Sequence, residues 1–269
     1  MTTAVRTAAT KRPPMDSMRK TALVAGILYL ITFISVATLT LYSPVLKDPA
    51  YILSSGSDAG LRWGALIDVI VALAGIGTAI TLYPVVRRQN ETFALGFVTS
   101  RVIEGAMLLT GVVSMLSLAS LHHVGAAPGA DSTALLTSGA SFVGTYNAAF
   151  LIGGTLMPAM NALLLGYLMY RSSLVPRLIP AIGLVGGVLM TSSVIGQILG
   201  INELISVWSL IALLPIFLWE LSLGLWMTFK GFNRSAPIMV AAAADAGSRD
   251  DSTRAVPPVV PVAPAGGVA

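Results

Sequence analysis

Six apolar stretches of roughly twenty residues or more run through this chain, and they restrict its fold more than any other feature. A helix of about twenty residues rises about 30 Å, the thickness of a bilayer's hydrocarbon core. In lipid every backbone polar group must find its partner inside the segment, so a run of this length and character becomes a transmembrane helix. The runs place helices at 21–42, 63–86, 95–121, 142–170, 178–200 and 204–229. Only 10% of the residues are charged and 55% are hydrophobic, with a mean hydropathy of +0.82; a soluble domain carries about 25% charge. A soluble fold would leave too little polar surface to face water. The fold class expected is therefore all-α, a polytopic membrane bundle of six transmembrane helices. The first run follows Arg19 and Lys20 as a signal peptide's would, but it is long enough to span and five more follow it.

The loops carry turn chemistry, such as Ser43-Pro44, the stretch SSGSDAG at 54–60 and GAAPGADST at 125–133. Cations set the direction. Thirteen of the sixteen Lys and Arg residues fall before the first span, in the second and fourth loops, or after the last span, whereas the other side has only Lys47 and Arg62. This asymmetry predicts that both termini are cytoplasmic, in a multi-pass protein of a bacterial plasma membrane. It divides the chain into a basic N-terminal segment (1–20), a six-span membrane domain (21–230) and an Ala/Pro-rich tail (231–269) too poor in bulky apolar residues to pack and expected to be disordered. The clusters suit anionic lipid headgroups at the cytoplasmic face rather than nucleic acid. The lipid bilayer is the expected partner, and a homo-oligomer is left open.

The sixteenth cation, Arg101, lies inside the third span with Glu104 one turn on. Counted from Leu95, these residues sit about 9 and about 14 Å into the membrane. Glu220, nine residues before Phe229, reaches about 14 Å from the same side. Charges at a helix centre cost about 2.5–3.5 kcal/mol each on the insertion scale, so the three are expected to face one another. One arginine can fork to two carboxylates. The group then serves either as an ion-pair clamp between spans three and six or as a gate for a small solute or proton. Pro158 and Pro215 remove backbone donors and predict helix breaks in spans four and six. Towards the outside, Asp68, Asn147 and Gln197 are candidates for a second polar level. In span five, Gly183 and Gly187 read as one packing face and Ser192, Gly196 and Gly200 as another.

Much chemistry is missing. Without cysteine there is no thiolate nucleophile and no cysteine-held metal or cluster. The only histidines, His122 and His123, stand at the outer end of span three, where a solvated pair is expected and buried haem or HExxH sites are unavailable. No P-loop or dinucleotide fingerprint occurs. The expectation is a protein that is not an enzyme and uses no cofactor or metal, with a structural or regulatory role and small-solute or proton-coupled transport as the alternative.

The stretches RKTALVAGILYLITFI, KDPAYIL and ALIDVIVALAGIGTAITLYPVVRRQNETFALGFVTSRVIEGAML, above all Tyr83-Pro84, Ala94-Leu95-Gly96 and Arg101-Val102-Ile103-Glu104, resemble the bacterial integral-membrane family known as domain of unknown function 4386. The resemblance spans about 19–230. It implies six spans and adds weight to Arg101 and Glu104, but supplies no substrate.

Overall fold

The computed structural model describes residues 17–48, 50–125 and 129–241. The N-terminal segment before 17 and the tail beyond 241 lie outside the described residues. Among these residues, six helices are long and apolar enough to cross a membrane: α1 (Ser17–Leu41), α2 (Ala59–Val86), α3 (Glu91–Gly125), α4 (Ser132–Ser172), α5 (Leu178–Ile198) and α6 (Val207–Phe229). The protein is a multi-pass, all-helical membrane protein.

Each helix packs on the next, and α1 returns to α6, so the bundle is a closed ring. Two contacts draw α1 and α6 together. Gly26 gives way to the backbone of α6, where a Cβ would come within 2.6 Å of the Thr228 nitrogen and 2.9 Å of the Gly224 oxygen. Arg19 donates to the carbonyls of Met227 at 3.0 Å and Thr228 at 2.6 Å, taking up acceptors that the end of α6 leaves unpaired.

Two cores are stacked along the bundle. The larger, near the chain ends, includes Tyr29, Leu82, Phe97, Leu165, Trp219 and Leu223. The smaller lies at the far end around Tyr42, Ile52, Leu61, Met115, Leu135 and Tyr146. There α3 and α4, 35 and 41 residues long, run past the length a bilayer requires. Asp131 starts α4 about ten residues before the apolar run does, its side chain accepting from the Thr133 and Ala134 amides.

Three expectations need correction. Pro158 does not interrupt span four. The helix widens over Leu151–Leu156 into a π turn and continues as α-helix from Met157, which is how a chain absorbs a missing donor without ending. Pro215 likewise sits inside a continuous α6; one lost backbone bond does not stop a helix whose neighbours accept the ring, and Gly186 lies against it. Finally, 231–241 is not a loose tail. Phe232 and Ala236 are buried in the main core, Asn233 donates its amide to the Leu174 carbonyl at 2.8 Å, and 237–241 is helical. In α5, Gly183 meets Trp219 of α6 while Gly187 meets Leu163 of α4, so these two glycines serve different neighbours.

Candidate functional site: a buried charge cluster

The arginine of the third span is the second-largest fully buried side chain, only 2% exposed. Its Nη1 donates to both Glu104 oxygens at 3.0 Å, and its Nη2 donates to Glu220 Oε1 at 3.0 Å. The guanidinium lies 5.0 Å from the ring centre of Tyr29 and 5.9 Å from that of Phe97, within cation–π range of both. Asn161 of α4 donates to Glu104 Oε2. On the α2 side Gly75 stands beside the arginine, where even a Cβ would lie 3.8 Å from Nη1. Three helices thus bring side chains to one guanidinium, Tyr29 from α1, Phe97 and Glu104 from α3 and Glu220 from α6, and a fourth, α4, reaches its carboxylate partner Glu104 through Asn161.

The cluster has one cation against two acids. Among the described residues Asn161 Oδ1 is buried with no hydrogen-bond partner, while the Tyr29 hydroxyl lies buried beside the Arg101 guanidinium. Glu220 is half-buried, with its side chain 17% exposed, so it is the member with most access to the outside of the cluster. The π turn of α4 abuts the same place: a Cβ on Gly153 would come 2.6 Å from Met107 Cβ and 3.3 Å from the Glu104 carbonyl. Close backbone approach at this turn and the buried charges therefore share one level.

Tyr29 and Asn161 were not among the site residues expected. The depth argument that selected Glu220 reaches them: Tyr29 is nine residues after Lys20, Asn161 nine before Tyr170 and Glu220 nine before Phe229. At 1.5 Å per residue, all lie about 14 Å in.

A family model described as domain of unknown function (DUF4386) matches residues 24–231. The chain belongs to this family. No curated protein and no solved structure matches it. All of the cluster lies within the DUF4386 match, whereas Arg19 and the segment after 231 lie outside it.

The second polar level of this DUF4386 chain does not assemble. Asp68 is buried and accepts from the Tyr42 hydroxyl at 2.9 Å. Asn147 is exposed on α4. Gln197 belongs to a different group at the end of α5, donating to Ser193 Oγ at 3.2 Å beside Ser209 and Asn202. Depth alone groups the three, but one is bonded to Tyr42, one is exposed and one joins Ser193 and Ser209.

The histidines also separate. His123 remains exposed. His122 is buried, with Nδ1 2.8 Å from Asp58 Oδ1 and Nε2 2.7 Å from the Ser54 carbonyl. Both ring nitrogens therefore face oxygen atoms of the 54–58 loop. Tyr51 donates to Asp58 Oδ1 at 3.2 Å, and burial together with the Asp58 charge raises its phenol above the ordinary value. The expected solvated pair is thus a single solvated histidine next to one that ties the 54–58 loop to the end of α3.

Proposed function

We propose that this protein acts as a structural or regulatory membrane component without catalysis, in which Arg101 clamps α3 to α6. Both termini face the cytoplasm, and the basic end lies against anionic headgroups. The observation that carries the clamp is the fork of one buried guanidinium to carboxylates on two helices, one of them 119 residues away in sequence. The cation asymmetry supports the orientation.

A second reading has its own support. A π turn packed against the Glu104 carbonyl, together with an unpartnered buried oxygen on Asn161 among the described residues, is the kind of local irregularity that recurs at functional sites. In that case Arg101, Glu104 and Glu220 together form the gate of a small-solute or proton-coupled transporter.

The triple substitution Arg101→Met, Glu104→Leu, Glu220→Leu tests the clamp by removing the charges together. A buried ion-pair group replaced by apolar residues of similar size is often neutral for stability. The variant should insert and melt in detergent near the parent, with unchanged pH-driven flux in sealed vesicles. Loss of a flux that the parent shows would replace the clamp with the gate.

A further inference from the structure

The segment after α6 builds a pocket of whose lining the family match includes Lys230 alone. It has a volume of about 250 Å³ and is lined by Met18, Arg19, Lys230, Phe232, Arg234 and Met239. Its walls have two characters. Three side chains are cationic and come from two parts of the chain, the start of α1 and the stretch just past α6. The other three are apolar. Phe232 is held in the core, and Asn233 pins its neighbourhood to the loop after α4 through the Leu174 carbonyl. The pocket is thus anchored to the bundle on more than one side.

The charges in it are uncompensated within the described residues. Among the described residues, no carboxylate lies within ion-pair distance of Arg19, Lys230 or Arg234. Arg19 spends its Nη donors on the carbonyls that end α6, which fixes its position but does not cancel its charge. The side chains of Lys230 and Arg234 are exposed and make no hydrogen bond to the described residues, so their donors are available. Next in sequence to two of the lining residues, Phe229 is 72% exposed and Val240 57% exposed, so large apolar side chains lie open at this end of the chain.

We propose that this pocket binds the phosphate of an anionic phospholipid, with Lys230 and Arg234 donating to the phosphate, Arg19 supplying fixed positive charge, and Met18, Phe232 and Met239 receiving the glycerol and upper acyl region. Guanidinium and ammonium groups are the natural phosphate partners, and the mixed lining matches a headgroup joined to a chain better than it matches a free ion. The assignment to the cytoplasmic leaflet rests on the orientation proposed above; the binding itself does not.

The test uses the full chain in detergent, incubated separately with mixed micelles containing phosphatidylglycerol or phosphatidylcholine, with bound lipid counted by native mass spectrometry. The parent should retain one phosphatidylglycerol, and Lys230→Gln/Arg234→Gln should reduce that retention about tenfold or more while melting like the parent. Arg87→Gln/Arg88→Gln, which removes two exposed cations from another loop, should retain it. Equal retention of phosphatidylcholine would overturn the proposal, as would loss in both double variants, which would mean diffuse charge. Displacement by inorganic phosphate at equal concentration would make the ligand a free anion instead. The assay is blind to orientation, so its failure is distinguishable from failure of the topology, which reporter fusions test separately.

Discussion

Arg101 has to satisfy two carboxylates in different directions, and the shape of its side chain is what allows it. A lysine has one compact charge and no planar fork, so Arg101→Lys should keep the i,i+3 partner and lose most of its coupling to Glu220. A double-mutant cycle of Arg101→Lys with Glu220→Gln, read by thermal melting in detergent, should therefore show nearly the same coupling as the cycle built on Arg101→Ala, about 1.5–3 kcal/mol; a much smaller coupling in the lysine cycle would mean that lysine keeps the contact. Asp68 offers a simpler contrast. Tyr42 donates to it, so Asp68→Asn keeps an acceptor and should be mild, whereas Tyr42→Phe strands a buried carboxylate and should cost about 1–3 kcal/mol. A reversed order in the melts would mean that Asp68 has another partner. At this scale the sequence was legible wherever depth alone decides, as at Arg101, Glu104 and Glu220. It failed for Asn147 because depth says nothing of azimuth, and helical spacing leaves two neighbouring faces equally open. It failed for His122 because the partner, Asp58, lies in a loop that only the tertiary fold brings back.

The six helices follow from apolar length, but their ends do not. A hydropathy reading stops α4 at Phe142 because STALLTSGAS at 132–141 is polar and small; the structure continues it to Asp131 because a cap and packing of Leu135 on the far-end core outweigh poor hydropathy. The prolines show the converse. Local rules foresee a lost hydrogen bond at Pro158 and Pro215, and they cannot foresee that a π turn or a flanking glycine will absorb the loss. Where helices touch at backbone distance the tolerance disappears. Gly26→Val must push α1 away from Thr228 and loosen the Arg19 cap, so a loss of about 1–3 kcal/mol is expected. Gly144→Val, with nothing within 4 Å of its Cβ, is the matched control and should melt within about 0.5 kcal/mol of the parent.

Across the whole molecule the ring brings both ends of the described chain to one end of the bundle, joined by Arg19. Reporter fusions at Arg88, at Arg171 and at the C-terminus should all report cytoplasm, and one at Gly129 should report the outside; an outside signal at Arg171 would contradict the six-span arrangement. Truncation separates the parts of the tail. Ending the chain after Ala241 should leave the melting temperature in detergent unchanged, whereas ending it after Lys230 removes Phe232 and Ala236 from the core and should lower it clearly. The ring was legible only as short loops between antiparallel neighbours. Its closure was not, because the contacts that make it are a glycine and a cap about two hundred residues apart. The long separation between Arg101 and Glu220 also bears on synthesis. At about 5–20 residues per second, the helix carrying Arg101 is made about 6–24 seconds before Glu220 emerges. During that wait Glu104, made only three residues after the arginine, gives it a partner within its own helix. Arg101 can therefore enter the bilayer as half of a neutral pair, and the last helix need only dock on a charge that has already been carried across the translocon's lateral gate.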